Sequence, residues 1–173
     1  LNKSKVKTSK KSFDGTIKFA IQLYDNLIVE AVLIPSNKRV TACVSSQVGC
    51  SLDCNFCATS KIKKMRNLES YEIFDQIMLL NKESINHFSS HITNIVFMGM
   101  GEPLLNYKNV IESIDQITSD FGIGISYKKI TVSTSGISKM IKKMADDDVK
   151  FNLAISLHTA LEKTRNKVMP FSK

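Results

Sequence analysis

Two short, almost wholly apolar runs are the features that most constrain the fold of this chain. Ile95-Val96-Phe97-Met98 and Leu153-Ala154-Ile155 lack the alternation of a strand that has one wet face. Such runs are typical of strands buried on both faces of a parallel sheet, with helices packed outside.

Around these runs, strand-like and helix-like segments alternate. The predicted strands lie at 39–44, 92–98, 129–133 and 151–156, and the predicted helices at 68–86, 106–120 and Ser138–Asp146. This order predicts an α/β fold with right-handed crossovers, in which the loops after the strands' carboxyl ends share one rim. Four strand-helix units are too few to close a barrel.

The residues before this series have a different character. Two β-rich runs at 16–23 and 27–34 flank the polar turn Tyr24-Asp25-Asn26, which is typical of a hairpin. Five lysines among the first eleven residues indicate a basic, flexible tail, with RNA contact as the alternative. We therefore expect three parts: a tail at 1–13, a hairpin at 14–36 and a core at 37–173.

Charge and hydropathy narrow the possible partners and compartment. A net charge of +8 favours a polyanionic partner, because clustered cations release counterions from phosphates. No apolar run approaches the roughly 20 residues that cross a bilayer, so we expect a cytoplasmic protein without membrane contact. Because the chain opens on Leu1 and stops soon after a helix starts, we also expect a fragment that lacks both ends and a core truncated at its carboxyl side.

The cysteines carry the strongest chemical signal. Cys50, Cys54 and Cys57 form a C-x3-C-x2-C loop just after the first core strand, and Cys43 precedes them. Thiolates are soft ligands suited to iron-sulfur clusters, and three of them leave one iron of a four-iron cluster open. The alternative is a zinc site, which usually has four ligands. In this chain the fourth ligand would be Cys43 or a histidine.

Several segments together resemble the radical S-adenosylmethionine (SAM) enzymes that methylate C2 of adenine in RNA. The matching segments are Cys43-Val44-Ser45-Ser46-Gln47-Val48-Gly49-Cys50, Phe56-Cys57-Ala58-Thr59, Gly99-Met100-Gly101-Glu102-Pro103-Leu104-Leu105-Asn106, Ser133-Thr134-Ser135-Gly136 and Ala154-Ile155-Ser156-Leu157-His158. The resemblance runs from about residue 14 to residue 173. It implies an incomplete parallel (β/α) barrel of the radical SAM type, preceded by the hairpin.

The resemblance also implies the cofactor sites. Cys50, Cys54 and Cys57 correspond to the ligands of a [4Fe-4S] cluster whose open iron binds SAM. The corresponding SAM contacts are Gly101, Glu102, Ser133, Ser156, Leu157 and His158.

The implied reaction methylates an adenosine of 23S rRNA and of tRNA through a methyl-cysteine. Cys43 corresponds to the cysteine whose thiolate releases the methylated base by forming a disulfide bond. Glu30 corresponds to the proton acceptor, although the Cys43 thiolate is an alternative acceptor. No cysteine follows Cys57, so the methyl-carrying cysteine lies outside this sequence, and we expect the fragment alone to be incomplete for methyl transfer.

The remaining expectations concern partners and competing functions. The resemblance implies an electron donor such as a flavodoxin-type reductant, and we expect a monomer. A relative that methylates C8 and confers antibiotic resistance is the alternative within the superfamily. From another class, the alternative is a non-catalytic, zinc-containing RNA-binding module, although such modules usually offer more aromatic side chains for stacking.

Overall fold

The computed structural model describes residues 4–170 and is built on a seven-stranded mixed sheet. Along the chain the strands are β1 (Lys5–Lys11), β2 (Ile17–Gln22), β3 (Ile28–Ser36), β4 (Arg39–Cys43), β5 (Gln47–Val48), β6 (Arg66–Asn67), β7 (Asn94–Phe97), β8 (Ile130–Thr134) and β9 (Asn152–Ile155). The order in the large sheet is β1-β2-β3-β4-β7-β8-β9. The antiparallel pair β5-β6 forms a separate small sheet.

The sheet has an antiparallel half and a parallel half. Strands β1 to β4 form an antiparallel meander, whereas β4, β7, β8 and β9 run parallel. The predicted hairpin is confirmed as β2 and β3, and the predicted core strands are confirmed as the parallel half. The expected burial on both faces is wrong for β9, because this strand lies at the border of the described sheet, with Leu153 38% and Ile155 51% exposed. Strand β4 joins the two halves, so the meander extends the sheet beyond the first strand of the incomplete barrel.

Within residues 4–170, four α-helices accompany the parallel half, namely α1 (Ser70–Phe88), α2 (Tyr107–Thr118), α3 (Ser138–Asp146) and α4 (Glu162–Val168). Helix α1 buries Ile73, Ile77 and Leu80, which recur at helical spacing on one face. These side chains share a core with the alternate residues Val40 and Ala42 of β4. None of the helices within residues 4–170 is long and apolar enough to cross a membrane.

The prediction of a flexible tail at 1–13 is wrong where the structure describes it. Residues 5–11 form β1, which pairs with β2 and packs Val6 against the core. The high lysine content correctly indicated exposure to solvent, since six of the seven β1 residues are exposed. It did not indicate that the backbone pairs with a neighbouring strand. Residues 1–3 lie outside the described residues, as do residues 171–173.

Candidate active site

The cysteine loop follows β4 and is held by backbone contacts. Gly49, just before Cys50, has a φ of +75°, and a Cβ there would lie 2.4 Å from the carbonyl oxygen of Lys63. Only glycine combines this conformation with so close an approach. At the far end of the loop, the Ser60 hydroxyl donates to the carbonyls of Cys54 at 2.8 Å and Cys57 at 2.7 Å.

The three thiols of the loop influence one another electrostatically. Burial raises the pKa of Cys54 to about 11, and the neighbouring Cys57, Cys50 and Glu102 add to this rise. The pKa of Cys50 is raised chiefly by burial and further by Cys57 and Glu102. Three thiolates beside a carboxylate therefore need a positively charged group to hold them together.

Glu102 lies in the loop that follows β7 and bonds to the residue just after β8. Its side chain accepts the Ser135 N–H at 2.8 Å and the Leu104 N–H at 3.1 Å, and the residue is 4% exposed. The preceding Gly101 has a φ of +94°, and a Cβ there would lie 2.5 Å from that of Gln47. The glycine thus lets the loop after β7 pack against the segment that leads into the cysteine loop.

A cleft of about 300 Å³ opens where these segments meet. Seven of the predicted site residues line it: Cys50, Cys54, Cys57, Gly101, Glu102, Ser133 and Ser156. They come from the ends of β7, β8 and β9 and from the loop after β4, as expected where parallel strands share a rim. The Oγ atoms of Ser133 and Ser156 lie 3.5 Å apart across two neighbouring strands.

Leu157 and His158 do not line this cleft within the described residues. His158 has a φ of +57°, and its ring packs against that of Phe56, with ring centroids 3.9 Å apart and ring planes tilted by 42°. Phe56 itself lines the cleft. This ring contact connects the cysteine loop with the end of β9, while Leu157 is 55% exposed.

Glu30 and Cys43 lie beside the cleft, on the sheet face away from the helices. Cys43 pairs with Val32 of β3, and Glu30 stands two residues before Val32 on the same face. Such diagonal neighbours are about 7–8 Å apart. The Cys43 thiol interacts with the backbone of Met98, a residue that lines the cleft. Burial raises the pKa of Cys43 to about 11.

Glu30 has a polar environment on this face. Its side chain is 52% exposed and forms an ion pair with Lys18 of β2, with 2.8 Å between the Nζ and Oε1 atoms. The carboxylate is therefore accessible from the open face of the sheet.

Two residues that the sequence did not single out also belong to the site. Ser135 lines the cleft, and its buried hydroxyl has no hydrogen-bond partner in the described part of the chain. The Arg165 guanidinium donates to the carbonyls of Ser135, Ser156 and Leu157 at 2.6, 3.0 and 2.6 Å. Ser135 lies in the Ser133-Thr134-Ser135-Gly136 segment, so the family resemblance could have identified it. Arg165 lies in α4, outside the matching segments, and nothing in the sequence pointed to it.

A comparison with protein families matches residues 44–171 to the model of the radical SAM superfamily. The chain belongs to the radical SAM superfamily. A crystal structure of a radical SAM methyltransferase from Sphaerobacter thermophilus superimposes on 98% of the chain with a TM-score of 0.92 and 34% identity. This chain covers 50% of that structure. The comparison confirms the predicted α/β fold of the radical SAM type.

Curated relatives give a narrower resemblance. Probable dual-specificity RNA methyltransferases RlmN from Flavobacterium psychrophilum and Flavobacterium johnsoniae are each 65% identical over all 173 residues. A third, from Christiangramia forsetii, is 56% identical over the same length. The chain spans about half the length of these relatives.

The cleft fits the cofactors of a radical SAM protein, a [4Fe-4S] cluster and SAM. Its donor set is three cysteine thiols, and each cysteine of such a cluster binds a different iron, so the sulfurs need not converge on one point. Within residues 4–170 no three Cys, His, Asp or Glu side chains are grouped to hold a single metal ion. The unpaired Ser135 hydroxyl and the partly exposed Ser133 and Ser156 supply polar atoms for SAM on the opposite wall.

Proposed function

We propose that this chain is the catalytic core of a radical SAM enzyme that methylates C2 of a specific adenosine in 23S rRNA and in tRNA. The observation that carries the proposal is the meeting of the cysteine loop with Glu102, Ser133 and Ser156 in one cleft, with Cys43 beside it. The RNA methyltransferase names of relatives that match the whole chain support the substrate class.

The residues of the cleft have two tasks in this proposal. Cys50, Cys54 and Cys57 hold the cluster, which together with SAM supplies a 5′-deoxyadenosyl radical. Gly101 and Glu102 receive the amino group of SAM, because a buried carboxylate accepts strong hydrogen bonds from an ammonium and the glycine permits close approach. Each Glu102 oxygen already accepts one backbone N–H, and its remaining lone pairs are available.

The opposite wall completes the SAM site. Ser133 and Ser156 offer hydroxyls from adjacent strand ends to the polar groups of SAM. Leu157 and His158 contact SAM from the end of β9, where the ring of His158 is held by Phe56. This role for the two residues rests on the family resemblance and on their position next to Ser156.

Glu30 and Cys43 act on the adenine. Glu30 accepts the C2 proton, since its carboxylate is accessible on the open sheet face and lies near Cys43. Cys43 then attacks the thioether that joins the base to the methyl-carrying cysteine, which lies outside this sequence. The new S–S bond takes the place of the broken C–S bond, whose electron pair stays on the departing methylene carbon. That carbon takes up a proton to become the methyl group, and the methylated adenine leaves. Because Cys43 is buried and its pKa is raised, it must lose its proton during the reaction to become the nucleophile.

The proposal includes partners that match this chemistry. The enzyme takes its electron from a flavodoxin-type reductant and works as a cytoplasmic monomer. The RNA substrates agree with the net charge of +8.

The test is mass spectrometry of nucleosides from RNA methylated by the natural full-length protein that contains these residues. We expect 2-methyladenosine, and we expect the Cys43→Ala variant to accumulate RNA covalently attached to the protein. A C8-methylated product would overturn the C2 assignment. Release of methylated RNA by Cys43→Ala at the wild-type rate would overturn the role of Cys43.

A further inference from the structure

Strand β1 presents a dense basic edge to solvent. Lys5, Lys7, Lys10 and Lys11 are all exposed, and none has a carboxylate partner within residues 4–170. The strand lies at the border of the large sheet and, among the strands that the structure describes, pairs only with β2. Lysines on an edge strand discourage aggregation, so a further role needs a second observation.

The register of the sheet supplies that observation. Lys10 lies opposite Lys18, which lies opposite Val32, which lies opposite Cys43. Directly opposed residues share a face, so the two lysines stand in one row with the cysteine on the face away from the helices. Three strand spacings place the backbone of Lys10 about 14 Å from that of Cys43. Lys18 is paired with Glu30, whereas Lys10 has no carboxylate partner within residues 4–170 and is available to contact a phosphate.

An exposed aromatic ring adjoins these charges. Phe13, in the turn between β1 and β2, is fully exposed. A ring beside cations offers a base a surface for stacking, while the lysines contact phosphates.

We propose that the β1 edge binds the phosphate backbone of the substrate RNA next to the adenosine that reaches Cys43. The inference rests on the proposed function and adds the surface on which the RNA lies. RNA fits better than an acidic protein because the row leads to the methylation residues, whereas an electron donor must approach the cysteine loop.

The test compares RNA binding by two triple variants with equal charge changes, made in the natural full-length protein. Lys5→Gln/Lys7→Gln/Lys10→Gln alters the β1 edge, and Lys82→Gln/Lys139→Gln/Lys142→Gln alters exposed lysines of α1 and α3. The probe is an RNA stem-loop with an unpaired adenosine, and the dissociation constant is measured between 50 and 300 mM KCl. We expect the β1 variant alone to bind at least about tenfold more weakly, with a salt slope smaller by about 2–3.

Equal weakening by both triples, or none by the β1 triple, would overturn this surface while leaving the proposed function intact. If the β1 triple variant binds RNA as the wild type does but no longer binds an acidic flavodoxin, the proposed RNA surface is also overturned. If the wild-type protein does not bind the stem-loop, the proposed RNA methylation itself fails.

A second inference comes from a different observation, the buried hydroxyl of Ser135. The backbone of this residue is fixed on both sides, because its N–H donates to Glu102 at 2.8 Å and its carbonyl accepts from Arg165 at 2.6 Å. The residue is 7% exposed and lines the cleft, yet its Oγ has no partner within the described residues. A buried hydroxyl without a hydrogen-bond partner is unfavourable unless a ligand satisfies it.

The structure assigns to Ser135 a direct hydrogen bond to a charged group of the SAM amino-acid part. Ser46 provides a matched control, since its Oγ is also buried without a described partner but does not line the cleft. This inference also rests on the proposed function, because it requires SAM in the cleft.

The test is anaerobic calorimetric titration of reconstituted protein with SAM. We expect Ser135→Ala to bind SAM about 10- to 100-fold more weakly, as for the loss of a hydrogen bond to a charged group, and Ser46→Ala to bind as the wild type does. We expect both variants to melt at equal temperatures without SAM. Unchanged affinity of Ser135→Ala, or a lower melting temperature than that of Ser46→Ala, would overturn the assignment, whereas a wild type that does not bind SAM would refute the proposed function.

Discussion

The raised pKa of Cys43 predicts an unreactive thiol in the resting protein. Burial raises the pKa from 9.0 to about 11, and the residue is 8% exposed. At pH 8 about one thiol in a thousand is ionised at that pKa, compared with about one in ten at 9.0. Because the thiolate is the nucleophile, alkylation should be roughly 100-fold slower than for the unfolded chain.

The assay is alkylation by iodoacetamide, followed by mass spectrometry, in a Cys50→Ala/Cys54→Ala/Cys57→Ala variant of the 173-residue chain, which retains Cys43 as its single thiol. The same variant in concentrated urea is the matched control. The native rate should rise about tenfold per pH unit up to pH 10, whereas the control rate should level off near pH 9. Equal native and control rates at pH 8 would refute the reasoning.

The same shift predicts how stability depends on pH. The folded chain holds the Cys43 proton more tightly than the unfolded chain, so this contribution is fully present below about pH 9. It is lost as the pH rises towards 11, and two pKa units correspond to about 2.7 kcal/mol. Urea titrations at pH 8 and pH 11 measure the free energy of unfolding of the single-thiol variant and of a quadruple variant that also carries Cys43→Ala. The difference between the two variants gives the contribution of the Cys43 proton.

Three further predictions concern the supports of the site. Glu72→Ala removes a buried carboxylate that accepts two hydrogen bonds from Arg66 and leaves that partly buried guanidinium with Asp25 as its remaining carboxylate, so it should lower the free energy of unfolding by about 1.5–3 kcal/mol in urea titrations. Glu112→Ala, at an exposed pair, should cost under about 1 kcal/mol. Gly49→Ala forces a Cβ against the Lys63 carbonyl, and iron bound after reconstitution should fall well below that of the wild type; full iron content would contradict the close turn. Arg165→Ala should weaken the loops after β8 and β9 by about 1.5–3 kcal/mol in amide hydrogen exchange, and unchanged exchange would show that the three bonds are dispensable.

The sequence predicted the parallel half of the fold well because its signals are local. The apolar runs of β7 and β9 and the spacing of α3 determine strand and helix directly, and the structure begins and ends α3 at the predicted residues. Strand β1 was missed because it depends on pairing with β2, which the lysine-rich composition concealed. The two-residue strands β5 and β6 are too short to leave a pattern.

In the candidate site, too, features with local sequence signals were predictable and contacts between distant residues were not. The cysteine loop and the strand-end residues Glu102, Ser133 and Ser156 were predictable, because parallel strands bring their carboxyl ends to one rim. The contact of Arg165 with Ser135 was not predictable, since it joins residues 30 positions apart through a side chain that reaches across two loops. The ion pair of Glu30 with Lys18 was likewise missed, because it depends on the register of two strands.

The central claim is that Cys50, Cys54 and Cys57 hold a four-iron cluster that binds SAM. The most direct measurement is iron and sulfide analysis after anaerobic reconstitution, with electron paramagnetic resonance of the reduced protein before and after SAM is added. The account predicts about four irons per chain, a signal that SAM alters, and loss of both in the Cys54→Ala variant. A folded, colourless protein that retains one zinc and shows no such signal would contradict it.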